Sequence, residues 1–315
     1  MCIRDRNQLV PAASTPFARD AVFGYRHSNL RRWVEEKTGG LVQAEQVTSI
    51  MLDDLRRGGP SRVARQLTAM TPDSYGVVNA ASYRDLEVLV AALLQVEAEG
   101  KEFIFRTAAS FVRVRAGIAP REAIAPEALT ADNDHGGLFV VGSHVPQTTR
   151  QVNTLIESGK VKTIEIAVDA LLDDARCSSE IDRAVHAVDQ RLKNGEDTVV
   201  FTSRKVVSAA SDEENLTIGQ RISDSLIQVV QGLTCQPRYL VAKGGITCSD
   251  VATKGLGVRR AMVLGQLLPG VPVWQLGDEA RYPGMAYIVF PGNVGDDRAL
   301  ATLQERLAPD AQLTR

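Results

Sequence analysis

The sequence has little that would mark a membrane, secreted or nucleic-acid-binding protein. No apolar run approaches the ~20 residues that a membrane span needs, and the opening MCIRDRNQLV lacks a signal-peptide core. Charge of one sign never accumulates: 36 basic and 38 acidic residues leave a net charge of -2, with no basic tail. Neither a nucleic acid nor a lipid surface is therefore expected as a partner. Cysteine is scarce, and Cys2, Cys177, Cys235 and Cys248 form no CxxC pair, which fits reduced thiols in a cytoplasmic protein. His27, His135, His144 and His186 make no ligand-spaced pair, so no residues are assigned to a metal. The GxxxxGK[ST] loop is absent, and no GxGxxG opens a βαβ unit.

What is there is length and alternation. A chain of 315 residues exceeds what one hydrophobic core usually spans, so two domains are expected. Short β-branched runs alternate with longer amphipathic stretches, the pattern of parallel sheets covered by helices. The class is α/β: two domains, each a largely parallel sheet flanked by helices, the first incomplete. In the first part, Gly76 to Ala80 reads as a strand, Ser82 to Gly100 as a helix with Ser82 as N-cap, and Glu102 to Thr107 as a second strand. Helices are also expected at about Ser28 to Lys37 and Ser61 to Met70. The stretch Ile118 to Gly137, with Pro120, Pro126 and a closing glycine pair, is the best linker. It divides the chain into residues 7–132 and 133–315.

After the linker the alternation is cleaner. Strands are expected in GLFVVGS, KTIEIAV, DTVVFTS, RYLVAKG, VPVWQLG and AYIVFPG, with helices in PQTTRQVNTLIESG, SSEIDRAVHAVDQRLKNG, LTIGQRISDSLIQVVQGL and DDRALATLQERL. Helix or loop is expected from the end of RYLVAKG to Pro269. Several strands are continuous apolar runs, as in strands buried on both faces. Their order in the sheet is not legible.

Ligands of open α/β sheets bind outside the carboxyl ends of the strands. Three ends carry glycine: Val141-Gly142-Ser143-His144, Lys243-Gly244-Gly245-Ile246-Thr247 and Pro291-Gly292-Asn293-Val294-Gly295. Glycine lets backbone N–H groups approach a ligand, and a following helix adds unsatisfied donors. One such turn is better explained by chain reversal; three in one domain bring phosphate binding level with that reading. Lys243 would either neutralise a phosphate or point to solvent, and Thr247 would cap a helix beginning at Cys248. The stretch TKGLGVRR, ending in Arg259 and Arg260, reads either as a solvated surface segment or as a mobile basic loop near a polyphosphate.

KGGITCSDVATKGLGVRRAMVLGQLLPGVPVW, followed by YPGMAYIVFPGNVGDD, closely resembles the nucleotide-binding domain of the four-carbon acid sugar kinase family. TPFARDAVFGYRHSNLRRWVEEKTGG, VVNAASYRDLEVLVAALL, FRTAASFVRVRAG and GGLFVVGSHVPQTTRQ resemble the same family in order, from about Thr15 to Leu307. The resemblance implies an ATP- and Mg²⁺-dependent kinase acting on the 4-hydroxyl of threonate, erythronate or 3-oxo-tetronate, with a small-molecule acid sugar as its partner. It implies ATP contacts at Ser143, Gly244, Gly245, Ile246, Thr247 and Gly292. It places the acid sugar around Arg19, Asp20 and Ser28 and at Arg106 and Thr107, where a guanidinium would grip the carboxylate. Family members open with an Asp-Asp-x-Thr-Gly-Ala motif whose acid would serve as base, and no such motif occurs in this sequence. The expectation is therefore an N-terminally truncated chain, inactive alone, with its catalytic base unassigned. A non-catalytic nucleotide-binding protein is the alternative, and a homo-oligomer stays open.

Overall fold

The structure is a computed structural model that describes residues 2–5, 8–19, 24–125, 129, 133–204 and 212–308. The chain divides into two compact units, Met1–Pro120 and Arg121–Arg315. None of the described helices is long and apolar enough to cross a membrane.

The first unit opens with an antiparallel pair, β1 (Cys2–Asp5) and β2 (Gln8–Pro11). Helix α1 (Leu30–Lys37) follows, capped by Asn29, whose side chain accepts from the backbone N–H of Arg31 at 3.0 Å. Strand β3 (Thr48–Ile50), helices α2 (Leu52–Arg56) and α3 (Gly59–Thr68), strand β4 (Gly76–Val78) and helices α4 (Tyr83–Ala98) and α5 (Ala109–Arg115) complete it. Strands β3 and β4 pair in parallel. The expected N-cap of α4 is present, with Ser82 Oγ accepting from the Asp85 N–H at 3.2 Å. Gly100 ends that region at φ +92°, which a side chain would resist. The core joins Ile50 and Leu55 to Val63, Leu67, Leu89, Leu93, Val96 and Phe111.

Residues 102–107 are not a strand, contrary to the expectation for EFIFRT. Their apolar residues are satisfied another way: the ring of Phe105 lies 5.1 Å from Phe111, Phe103 packs on the core, and Ile104 is fully exposed.

The second unit is built on one seven-stranded sheet. Its parallel strands are β5 (Leu138–Val141), β6 (Lys162–Ile166), β7 (Thr198–Thr202), β8 (Leu240–Lys243) and, beyond the hairpin β9 (Ala261–Leu268) and β10 (Val271–Leu276), β11 (Ala286–Phe290). The spatial order is β6-β7-β5-β8-β11-β10-β9, with β10 antiparallel to both its neighbours. Helices α6 (Pro146–Glu157), α7 (Val168–Leu171), α8 (Cys177–Lys193), α9 (Asp212–Gly232), α10 (Gly245–Asp250) and α11 (Ala299–Leu307) cover it. Every residue of β5, β7 and β8 is buried, as the continuous apolar runs required. Successive residues feed opposite cores. Leu138, Val140, Val200 and Ala242 pack with α8 and α9, whereas Phe139, Val141, Val199 and Val241 pack with α6 and α11.

Strand β9 is the feature that helix or loop was expected to occupy. It lies at the sheet edge with Met262 and Val263 exposed, Gly265 takes φ +149°, and its register against β10 slips twice. A half-exposed, bulged edge strand loses the period-two signal by which strands are read.

Candidate functional site

Strand β8 pairs in parallel with both β5 and β11, so the three glycine-bearing carboxyl ends are neighbours. From β5 the chain passes to α6 on one face. From β8 it passes to α10, which continues as a π-helical stretch Val251–Gly255 packed with α9 on the other face. Adjacent strands whose connections leave to opposite faces open a crevice between them, the switch point where such sheets hold ligands.

Ser143 is where the three ends meet. Thr148, at the start of α6, aligns its hydroxyl 3.3 Å from Ser143 Oγ and donates to the Gly292 carbonyl at 3.1 Å. A methyl group added at Gly292 would lie 3.0 Å from Ser143 Oγ. One added at Gly244 would lie 3.0 Å from both Ser143 Cβ and Thr247 Oγ1, and Gly244 has φ +127°, so this position needs glycine twice over. Gly142 is as tightly held, since its added carbon would come within 2.3 Å of Thr247 Oγ1. Gly245 differs from these: nothing lies within 4 Å of where its side chain would project. Beside it Ile246 is exposed, while Thr247 is buried. Ser143 thus lies against both Gly244 and Gly292, Thr247 lies against Gly142 and Gly244, and Gly245 and Ile246 form the open lip.

Thr247 is not the N-cap. Helix α10 begins at Gly245 with Gly244 in the capping position, so Thr247 is the third helical residue and its side chain faces Gly142 and Gly244. Lys243 does not point to solvent. It is fully buried, its ammonium donates to the carbonyls of Pro291 at 2.6 Å and Gly292 at 3.3 Å, and it lies 4.0 Å from the Phe290 ring centre. Burial brings its pKa down to about 7. Next to it, burial raises the Cys248 thiol to about 11, and that thiol donates to the Ala242 carbonyl at 2.9 Å. Cys248 is therefore a neutral packing group.

Four further residues escaped the sequence reading. Gln151, fully buried, donates to the carbonyls of Val294 at 2.9 Å and Asp296 at 2.7 Å, fixing the loop after β11. With Thr148 it forms an i, i+3 polar pair on the inner face of α6, the only trace in PQTTRQ. Arg204 donates to the Ser143 carbonyl at 2.7 Å and the Thr202 carbonyl at 3.1 Å. Its Nη2 is buried without a partner among the described residues, and burial lowers its pKa. His144 meets Thr202 Oγ1 at 3.2 Å; burial, then the Arg204 charge, lowers its pKa.

Arg259 and Arg260 lie away from this crevice. They precede β9, which runs parallel to β8 and β11 through the intervening β10, so they sit at the amino edge of the sheet. Glu279 accepts from both of their backbone N–H groups, at 2.9 and 2.7 Å. Both arginine side chains are exposed, while Leu256 and Val258 of the same stretch are buried in the core.

In the first unit, Ser28 Oγ accepts from the Ala13 N–H at 2.9 Å just ahead of the α1 cap. Arg106 stacks over Trp33 of α1, 5.2 Å from the ring centre, and forms no ion pair among the described residues. Thr107 is exposed, as is Arg19 at the end of the short helical turn Pro16–Arg19. Asp20 lies outside the described residues. Ser28 lies just ahead of α1 and Arg106 stacks on it.

The second unit is of the doubly wound class, with a glycine-lined crevice at its switch point, and family models agree with that assignment. A nucleotide-binding C-terminal domain matches residues 138–300 and a sugar-binding N-terminal domain matches residues 3–115. The chain belongs to the four-carbon acid sugar kinase family. Among solved structures, a Salmonella typhimurium LT2 protein provisionally assigned as a tRNA synthase aligns with TM-score 0.59 and 17% identity, over 96% of this chain and 68% of that one. A Haemophilus influenzae protein of the DUF1537 family aligns with TM-score 0.54 and 19% identity, over 94% and 68%. These likenesses are of fold. No curated protein matches the chain.

Proposed function

We propose that the second unit seats ATP at the ends of β5, β8 and β11, and that the protein serves transfer of its γ-phosphoryl group to the 4-hydroxyl of a four-carbon acid. The observation that carries the reading is the convergence on Ser143. Three glycine-bearing strand ends meet there, and two buried basic side chains, Lys243 and Arg204, flank it with no carboxylate within ion-pair distance among the described residues. Uncompensated buried charge is unfavourable in the empty protein, and an anionic ligand is what would offset it.

In this reading the closely packed glycines set the floor of the seat, Thr148 and Gln151 hold the loop after β11, and the backbone at Gly245 and Ile246 meets phosphate. Transfer of a phosphoryl group needs positioning and charge neutralisation more than covalent help. The described residues contain no group of three metal-ligating side chains. Mg²⁺ carried by nucleotide phosphates needs no such cage, because it keeps waters and uses one or two carboxylates at most. The acid sugar belongs to the first unit, where Arg106, lying over Trp33 and without a carboxylate partner among the described residues, is the proposed grip on the substrate carboxylate.

Titration calorimetry with MgATP tests the seat, and Gly245→Val is the informative variant. Its side chain would enter open space rather than the fold, so binding should be lost with the melting temperature unchanged. Wild-type protein that binds no ATP would end the reading. Phosphoryl transfer by the protein to threonate, erythronate or 3-oxo-tetronate tests the acceptor; ATP binding without transfer to any of them would favour the non-catalytic alternative.

A further inference from the structure

We propose that Lys243 is a positioning residue that couples anion binding in the crevice to uptake of one proton. The inference rests on the nucleotide reading above and goes beyond it. Lys243 is the last residue of β8, fully buried, and its acceptors among the described residues are the carbonyls of Pro291 and Gly292. It therefore holds the end of β11 against the end of β8, directly beneath the Gly244–Gly292 floor. Carbonyl oxygens and the Phe290 ring face favour an ammonium but do not neutralise it.

The groups around it leave Lys243 as the one that titrates. From α10, Cys248 faces it, and its burial keeps that thiol protonated. From β11 come a ring and two carbonyls, none of which ionises. On the far side of Ser143, Arg204 keeps its charge throughout the working range, and His144 is held neutral at pH 8 by burial and by that same arginine. With its pKa near 7, Lys243 in the empty protein is mostly neutral at pH 8. Phosphate placed over the floor stabilises the ammonium, and the proton comes from solvent: a neutral amine plus one proton gives an ammonium, with no other bond changed.

The test is calorimetric titration of the whole protein with MgATP at pH 8 and pH 6, in buffers of differing ionisation enthalpy. Up to about 0.9 proton should be taken up per ATP at pH 8 and no more than about 0.1 at pH 6, as a single group with a value near 7 requires. Lys243→Met should abolish the uptake at pH 8, and His144→Gln should retain it. If the methionine variant does not fold, Lys243→Arg serves instead, because its guanidinium keeps the charge and cannot release a proton below pH 12. No ATP binding by the wild type would refute the nucleotide reading itself. Binding without proton uptake at pH 8, or uptake that persists in a folded Lys243 variant, would overturn this proposal alone.

Discussion

Lys243 also makes a prediction that needs no ligand. In the unfolded chain a lysine titrates near 10.4, while burial sets the folded value at about 7. Between those values the folded protein binds fewer protons than the unfolded one, so stability rises with pH; below pH 7 the full penalty of the buried charge is present. Integrating the difference in bound protons from pH 7 to pH 9 gives about 1.7 pH units, or about 2.3 kcal/mol at 1.36 kcal/mol per unit. Lys243→Met removes this dependence. It also leaves the Pro291 and Gly292 carbonyls short of a donor, at a cost of about 1–3 kcal/mol, but that cost does not vary with pH. The quantity to measure is therefore a double difference: wild type minus variant, pH 9 minus pH 7, from urea unfolding. The chain has two tryptophans, so a Trp33→Phe background leaves Trp274 as the reporter of the second unit. Wild type should gain about 2 kcal/mol more than the variant between the two pH values. Equal gains would show that the lysine is not held in the buried, uncompensated state described above.

Other predictions test separate links. Gly142→Ala should destabilise the second unit by about 1–3 kcal/mol through overpacking, since its methyl would sit 2.3 Å from Thr247 Oγ1 and 2.9 Å from Leu226 Cδ1. Adding Thr247→Ala should recover more than half of that loss in a double-mutant cycle. Asp197 accepts from the Gly137 N–H, Arg238, the Tyr239 hydroxyl and Gln304 in one buried cluster at the amino edge of the sheet. Asp197→Ala should therefore cost about 3–5 kcal/mol, read as a lost or strongly shifted unfolding transition of Trp274. In the first unit, the Arg56 guanidinium, then the Ala81 backbone N–H and the Ser82 side chain, hold the Asp85 carboxyl well below the usual carboxylate range. A depressed acid stabilises above its unfolded value and loses that contribution as pH falls. Asp85→Asn should thus flatten the acid dependence below about pH 4, measured by Trp33 fluorescence.

Sequence periodicity reached the elements that are buried on both sides or well capped. Strands β5, β7 and β8 were legible as unbroken apolar runs, and α4 was legible from Ser82 to Gly100, because burial and capping are written in the residues themselves. Residues 102–107 misled because aromatic packing imitates the alternation of a strand, and β9 was missed because an exposed, bulged edge has no clean period. Strand order and the burial of Lys243 depend on which strands become neighbours. A lysine after LVA has the same local sequence whether β11 lies beside it or not. Only that neighbour supplies the two carbonyls and the ring that take it out of solvent.

The glycines of the crevice make the same point about function. By sequence, Gly142, Gly244, Gly245 and Gly292 are equal members of a phosphate-loop pattern. By structure they are two kinds. Gly142, Gly244 and Gly292 are glycine because Thr247 and Ser143 occupy the space their side chains would need, which the fold demands with or without a ligand. Gly245 has open space above it and an ordinary negative φ, so nothing within the folded protein requires glycine there. If a ligand's backbone approach is the requirement, alanine or valine at 245 should harm binding alone, while alanine at 142 or 244 should harm stability first and binding as a consequence. Should Gly245→Val bind MgATP as tightly as wild type, the open lip would be only a turn, and the phosphate seat would have to lie elsewhere on the rim.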